Sequence, residues 1–95
     1  MISSISIDEL LNKNNINIID IRSVEKFNDN HIPNSKNIPM QLLLSNPLKY
    51  LNYNDIYYIY CQKGINSRNV CSRLILRGFK VVNVIGGYEA WLLRK

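Results

Sequence analysis

The order of structural elements in this chain is decided by one stretch, Tyr57-Tyr58-Ile59-Tyr60-Cys61-Gln62-Lys63-Gly64-Ile65-Asn66-Ser67-Arg68. An apolar, aromatic and β-branched run, typical of a buried strand, stops abruptly at Cys61. A short loop with one glycine follows, and apolar residues then recur at helical spacing from Val70 to Ile75. The stretch therefore predicts a strand over residues 56–60, a loop, and a helix over residues 66–77. Gly78 stands where many helices end in a left-handed residue.

This order of strand, loop and helix predicts an anion-binding loop directly after Cys61. The backbone N–H groups of such a loop point inward at the start of the helix, where the helix dipole also favours negative charge. Lys63 and Arg68 add positive charge nearby in the sequence. A cysteine in this setting ionises readily, and the thiolate is the reactive form. We therefore expect Cys61 to act as a nucleophile.

The remainder of the chain predicts strands that alternate with helices. Ser6 and Glu9 form a capping-box pattern before a short helix that ends near Leu11, and Ser23 is placed to cap a second helix. Further strands are predicted over residues 16–20, 36–38 and 80–85, and further helical segments over 24–28, 40–44, 47–51 (with Asn46 as cap) and 88–94. The fold class is therefore α/β, with a mainly parallel central sheet of four to five short strands flanked by helices on both faces. Ligands bind beyond the carboxyl ends of such strands, which is where Cys61 falls.

Length and composition limit the range of protein classes. At 95 residues the chain is predicted to form one domain, residues 1–95. It contains no apolar run near the roughly 20 residues that cross a bilayer. Residues 1–5 lack the basic start and apolar core of a signal peptide, so a cytoplasmic location is expected. In that compartment Cys61 and Cys71 should both remain free thiols.

The net charge of +5 raises the question of a nucleic-acid partner. The basic residues are scattered along the chain and form no dense tract, which favours a solvated positive surface that attracts small anions. No nucleic acid and no membrane are therefore expected as partners. His31 has no second histidine or acidic residue at ligand spacing, so no metal site is expected either.

Three separated blocks, in this order and spacing, resemble the signatures of a single-domain rhodanese. The first is Asp20–Phe27 followed by His31–Pro39, the second is the loop Tyr60–Ser67, and the third is Val84–Trp91. The resemblance covers the chain from about Ile16 onward. It implies the rhodanese-like fold and a sulfurtransferase activity.

The resemblance also implies a mechanism and a set of site residues. The Cys61 thiolate would attack the outer sulfur of a small anionic donor such as thiosulfate, form a persulfide and release sulfite. A thiol or cyanide would then accept the sulfur, without a metal or an organic cofactor. The backbone amides of the loop would hold the donor and the persulfide; its residues are Gln62, Lys63, Gly64, Ile65, Asn66 and Ser67. A sulfur-relay protein is a further expected partner.

Three positions leave alternatives open. Many single-domain relatives carry arginine where this chain has Asn66, and Lys63 could replace part of the missing charge. Arg22 is a candidate anion-binding residue, although it could instead pair with Glu25 at the start of a helix. Cys71 falls on an apolar helix face, which favours a small core residue over a second reactive thiol.

The alternative functions follow from the same loop. A rhodanese-like domain can serve as a binding module without turnover or as a persulfide carrier. A cysteine phosphatase or arsenate reductase shares the fold but needs arginine as the sixth residue after the cysteine, and Ser67 occupies that position. That alternative is the least favoured.

Overall fold

The computed structural model describes residues 2–94 and is built around a five-stranded sheet in which every neighbouring pair is parallel. The strands are β1 (Ser3–Ile5), β2 (Asn17–Asp20), β3 (Ser35–Asn37), β4 (Ile56–Tyr60) and β5 (Lys80–Val84). The helices are α1 (Ile7–Leu11), α2 (Val24–Asp29), α3 (Met40–Ser45), α4 (Ile65–Leu76) and α5 (Gly87–Leu93), with a short 3-10 helix at Pro47–Lys49. The order across the sheet is β1-β5-β4-β2-β3, so β4 is the central strand.

The strand β4 matches its predicted range and contributes to both faces of the sheet. Tyr57 and Ile59 belong to one buried cluster, whereas Tyr58 and Tyr60 belong to the other. This alternation is the geometry of an extended strand, in which successive side chains point to opposite faces. Because both faces are covered, β4 is apolar throughout, as buried parallel strands are.

Helices cover both faces of the sheet, as predicted. On one face α3 and α4 bury Leu43, Val70 and Leu74 against the sheet. On the other face α1 and α5 bury Leu10 and Trp91. The predicted α/β class with a parallel sheet between helical layers is therefore confirmed, and the carboxyl ends of the strands form one edge where a site can be built.

Two details of the predicted local structure are confirmed. The Ser6 hydroxyl accepts a hydrogen bond from the backbone N–H of Glu9 at 3.2 Å and donates to the Glu9 carboxylate at 3.1 Å, which completes the capping box. Gly78 has a φ of +93°, the left-handed conformation that ends α4. The capping box and the helix-ending glycine each involve residues close together in the sequence, so both could be predicted without a structure.

Several details differ from the sequence prediction, beginning with element bounds: those of six elements are shifted by one residue at one or both ends, namely β2, β3, β5, α2, α3 and α5. The strand β1 was not predicted, because two of its three residues are serines and the segment has no apolar run of its own. The helix α4 begins at Ile65 and ends at Leu76, each one residue before its predicted bound. Asn46 makes no side-chain capping bond, and the turn that follows is a 3-10 helix of three residues.

Within residues 2–94, every helix is too short or too polar to span a bilayer.

Candidate active site

The loop after β4 wraps its backbone around the sulfur of Cys61. The N–H groups of Gly64 and Ser67 donate to Cys61 Sγ at 3.1 Å and 3.2 Å. Gly64 has a φ of +91°, and a β-carbon there would lie 2.8 Å from the backbone nitrogen of Gly86. Only glycine therefore fits at this turn, which brings the first amide onto the sulfur and starts α4. The sulfur sits at the amino end of that helix, where the dipole favours an anion.

The first turn of α5 holds the other side of this loop. The backbone N–H of Tyr88 donates to the carbonyl of Cys61 at 2.9 Å, and that of Glu89 donates to the carbonyl of Gln62 at 3.0 Å. The Gln62 side chain also donates to the Glu89 carboxylate at 3.3 Å. A β-carbon at Gly87 would overlap the Cys61 carbonyl oxygen, so the close approach of α5 requires glycine. The loop is thus held with its carbonyls toward α5 and two of its amides toward the sulfur.

Cys61 is reached through a small cavity. Only 4% of the residue is exposed, and its sulfur-bearing side chain lines a space of about 240 Å³, which we name the Cys61 cavity. It is lined by Ile21, Arg22, Ser23, Lys26, Met40, Cys61, Gln62 and Asn66. This volume is below the roughly 300–1,000 Å³ of pockets that hold drug-sized ligands. A small ligand is therefore the better match.

Arg22 in this cavity is committed to a buried ion pair with Asp20. Its guanidinium donates to both carboxylate oxygens at 2.7–3.1 Å, in the two-point geometry of a strong arginine–carboxylate pair. Burial alone would lower the pKa of Arg22, but hydrogen bonding and charge from Asp20 outweigh it and leave that pKa raised. The alternative pairing with Glu25 is wrong, because Arg22 precedes the helix and turns back to the strand end.

The remaining donors of Arg22 hold the walls of the site. Nη2 donates to the carbonyl of Asn30 at 2.7 Å, and Nη1 donates to the side-chain oxygen of Gln62 at 3.3 Å. The guanidinium lies over the ring of Tyr88, 4.0 Å from its centre. Arg22 therefore links β2 to the active-site loop and to α5, and it lends the cavity a polar wall whose charge Asp20 offsets.

With this geometry in hand, comparison with known proteins decides the family. A model of the Rhodanese-like domain family matches residues 5–94. This chain belongs to the rhodanese-like family.

Named relatives share both sequence and fold with this rhodanese-like chain. The thiosulfate sulfurtransferase GlpE of Coxiella burnetii is 34% identical over 91 residues, which cover 95% of this chain and 84% of the relative. A Bacillus subtilis protein named as a candidate sulfur carrier, YrkF, is 35% identical over 77 residues, covering 80% of this chain and 41% of the relative. The crystal structure of a rhodanese-like domain protein from Staphylococcus aureus is 39% identical with a TM-score of 0.84, covering 95% and 91% of the two chains.

Lys26 lines the Cys61 cavity, and the sequence prediction did not single it out. Ser23 caps α2 by accepting the backbone N–H of Lys26 at 3.3 Å, so the two residues lie one turn apart and both line the Cys61 cavity. The cap was predicted from the sequence, and the spacing of three from it could have indicated Lys26.

Two loop residues that were expected to hold the donor line a different depression. Lys63 and Ile65, together with Gly64 and Arg68, line a larger space of about 950 Å³, which we name the second groove. Ile65 is 65% exposed there. Asn66 does line the Cys61 cavity. Among residues 2–94, the cations that line the Cys61 cavity are therefore the paired Arg22 and Lys26, and not Lys63.

Ser67 and Asn83 lie behind the sulfur. The Cys61 thiol donates to Ser67 Oγ at 3.3 Å, and Ser67 Oγ donates to Asn83 Oδ1 at 2.6 Å. Ser67 is fully buried and Asn83 is 4% exposed. Asn83 comes from β5, far from the loop in sequence, and no local signal marked it. Ser67, at the position where a cysteine phosphatase needs arginine, faces into the protein.

The second cysteine has a different environment. Cys71 is fully buried on α4 within the core cluster, as predicted, and both cysteines are free thiols. Burial, with a smaller contribution from the charge of Cys61, raises the pKa of Cys71 to about 12. Cys71 is therefore protonated and inert at neutral pH.

Among residues 2–94, no three histidine, cysteine or acidic side chains are grouped closely enough to hold a metal ion.

Proposed function

We propose that this chain is a sulfurtransferase that moves a sulfane sulfur from a small anionic donor to a thiol or cyanide through a persulfide on Cys61. The proposal includes a cytoplasmic setting, in which Cys61 stays reduced between turnovers. The relative GlpE, which covers nearly the whole chain, carries the name of a thiosulfate sulfurtransferase and supports this assignment.

One observation carries the proposal. Two backbone N–H groups, from Gly64 and Ser67, point at Cys61 Sγ at the amino end of α4, and the residue opens on a cavity of small-anion size. Hydrogen bonds to a charged acceptor are roughly twice as strong as those to a neutral one, so these amides favour the thiolate over the thiol. The same amides are placed to hold the negative charge of an incoming donor.

The reaction proceeds in two displacements. The Cys61 thiolate attacks the outer sulfur of thiosulfate, a sulfur–sulfur bond forms on Cys61, and the bond within the donor breaks so that sulfite leaves with its electron pair. A thiolate or cyanide then attacks the outer sulfur of the persulfide. Cys61 leaves as the thiolate, and the enzyme returns to its starting state.

The side chains around the cavity divide the remaining work. Lys26 contributes a positive charge at the mouth, and Asn66 offers an uncharged amide donor. Arg22 orients Gln62 and the loop while its own charge is offset by Asp20. The charge available to a doubly negative donor is therefore modest, which predicts weak binding of thiosulfate.

A persulfide carrier is the second candidate, favoured by the name of YrkF. A carrier shares the first displacement but delivers the sulfur to a protein acceptor. The cavity is small, so such an acceptor would have to present an extended cysteine at its mouth. The rate of the second displacement with small acceptors distinguishes the two functions.

Intact-mass analysis tests the proposal directly. The reduced protein is treated with thiosulfate, and we expect one added sulfur in the wild type and in Cys71→Ser, but none in Cys61→Ser. Cyanide is then added, and fast loss of that sulfur with formation of thiocyanate indicates the enzyme, whereas retention of the sulfur indicates the carrier. Absence of any added sulfur with thiosulfate and with glutathione persulfide would refute both.

A further inference from the structure

The hydrogen-bond chain behind Cys61 is the feature that the proposed reaction leaves unexplained. Sγ, Ser67 Oγ and Asn83 Oδ1 follow one another at 3.3 Å and 2.6 Å. Ser67 and Asn83 are among the few buried polar residues of the chain, together with Asp20 and Arg22, which satisfy each other. Burying polar side chains costs free energy unless they are hydrogen-bonded. Two apolar residues would avoid that cost, so the presence of Ser67 and Asn83 behind Cys61 suggests a role for their hydrogen bonds.

The direction of the chain suits the thiol and not the thiolate. With Cys61 protonated, S–H donates to Ser67 Oγ, and the hydroxyl proton of Ser67 is used on the Asn83 carbonyl oxygen. A thiolate has no proton to donate. In the same arrangement it would face the lone pairs of the Ser67 oxygen, an unfavourable contact for an anion.

Asparagine can resolve this conflict where other residues cannot. Its side-chain oxygen accepts and its nitrogen donates, and a half-turn of the amide exchanges the two. After that turn Asn83 Nδ2 would donate to Ser67 Oγ, which would free the Ser67 proton to donate to the thiolate. The departing Cys61 proton goes to water or to a buffer base at the mouth of the cavity.

The second groove gives the amide a polar neighbour in both orientations. Asn83 lines it together with Lys63 and Arg68. No side-chain nitrogen or oxygen that is buried within residues 2–94 lacks a hydrogen-bond partner, so the amide atom turned away from Ser67 reaches the groove. When the oxygen faces outward, the two cations favour it. The turned state therefore leaves no polar atom stranded.

We propose that Asn83 is a positioning residue that reverses the hydrogen-bond chain through Ser67 when Cys61 loses its proton. In the thiol the chain runs from sulfur to Asn83; in the thiolate it runs from Asn83 to sulfur. Asn83 thereby supports the nucleophile in both protonation states without touching the substrate. The proposal rests on Cys61 being the nucleophile of the proposed sulfur transfer.

The test measures the thiolate itself rather than sulfur transfer. Alkylation of Cys61 by iodoacetamide is followed by mass spectrometry across pH, and thiolate absorbance near 240 nm is recorded in parallel. The charged or titratable groups around Cys61 are the Asp20–Arg22 pair, Lys26, Lys63, Arg68, Cys71, Tyr88 and Glu89. These groups are unchanged in every variant, and the charge that an introduced aspartate adds is controlled for separately.

Three variants separate the effect of hydrogen-bond direction from the effect of side-chain packing. Asn83→Asp can only accept when ionised and locks the chain in its thiol direction, so alkylation at pH 7 should fall about tenfold or more, the size of one hydrogen bond to a charged group. Ser67→Ala removes the hydroxyl donor, and its alkylation rate should fall by a similar factor. Asn83→Leu has a similar size and leaves the Ser67 hydroxyl free to donate to sulfur, so it should fall by less than Asn83→Asp.

A matched charge control and a double-mutant cycle complete the test. Ser72→Asp places a carboxylate on the same second groove without contacting Ser67, and it should lower alkylation by less than Asn83→Asp. In the Ser67→Ala background, Asn83→Asp should lower the alkylation rate no more than Ser72→Asp does, because the hydroxyl that the introduced carboxylate would bind is absent.

Either of two results would overturn the proposed reversal of the hydrogen-bond chain. One is an equal effect of Asn83→Asp on alkylation in the wild-type and Ser67→Ala backgrounds, and the other is a wild-type rate of alkylation in Ser67→Ala. The alkylation rate of Ser67→Ala tests the proposal even if Asn83→Asp does not fold. Circular dichroism shows whether each variant is folded. Failure of the proposed function would show itself separately, as an alkylated Cys61 that acquires no sulfur.

Discussion

Replacing Asn66 by arginine tests whether this position limits the use of thiosulfate. Asn66 is exposed, stands in the first turn of α4 and lines the Cys61 cavity. An arginine there would bring two parallel donors and a full charge to the place where the donor anion enters. We expect Asn66→Arg to raise kcat/KM for thiosulfate about two- to fivefold, which corresponds to a gain of about 0.4 to 1 kcal/mol.

The magnitude follows from the charges already present. A hydrogen bond to a charged group contributes roughly 1.5–3 kcal/mol, and the neutral amide of Asn66 supplies about half the strength of a charge-assisted donor. The gross gain is therefore about 0.75 to 1.5 kcal/mol. Repulsion between two exposed cations 4 Å apart in water is about 1 kcal/mol, and salt reduces it to roughly half. Because Asp20 offsets Arg22, Lys26 is the main source of that repulsion, and a net gain of up to about 1 kcal/mol remains.

The assay is the steady-state formation of thiocyanate from thiosulfate and cyanide, at one ionic strength. Asn69→Arg is the matched control, because Asn69 is an exposed residue one turn further along α4 that lies outside the Cys61 cavity. It makes the same change of residue and net charge. We expect it to raise kcat/KM clearly less than Asn66→Arg does, because a screened charge outside the Cys61 cavity makes no direct bond to the donor.

Two results would refute this reasoning. An equal gain in both variants would mean that the general positive field, and not a contact at Asn66, improves catalysis. No gain in either would mean that Asn66 does not limit thiosulfate use. The native donor would then be sought among low-molecular-weight or protein persulfides, which bring less negative charge.

Three further changes are expected to separate the roles of neighbouring residues. Cys61→Ser should abolish sulfur transfer and Cys71→Ser should keep most of it, since burial holds the pKa of Cys71 near about 12; equal losses would bring the second thiol into the reaction. Lys26→Ala should raise the KM for thiosulfate about two- to fivefold with little change in kcat, as an exposed charge does, and a larger effect of the control Lys63→Ala would move the donor to the second groove. Gly87→Ala should lower both the thermal midpoint and sulfur transfer, because its β-carbon would overlap the Cys61 carbonyl; unchanged activity would show that the loop tolerates displacement from α5.

The parts of the fold that could be predicted from the sequence are those specified by residues close together along the chain. The strand β4 is a continuous apolar run with sharp ends, and Gly78 follows a helix that needs a left-handed stop. The strand β1 carries no such signal, since its three residues are specified by pairing with β5 at the other end of the chain. Local propensity contains no information about a partner so distant in sequence.

The candidate site divides in the same way. Cys61 and its loop are contiguous, so the strand, glycine and helix that build the amide cradle could be predicted together. The alternative pairing of Arg22 with Glu25 was wrong, because spacing of three applies only within a helix and Arg22 lies before one and pairs with Asp20. Lys26 and Asn83 reach the site through the packing of α2 and β5 beside the loop, which only the tertiary structure defines.

The contact between α5 and the active-site loop has a consequence for the order in which the protein is made. Translation delivers Cys61 and its loop before α5 exists, and β1 waits for β5 to supply its partner. Until then the carbonyls of Cys61 and Gln62 lack the amides that hold them. A nascent chain therefore carries its reactive cysteine for a time without the frame that directs it. The reactivity of Cys61 should therefore develop only after the first turn of α5 has been synthesised and has packed against the loop.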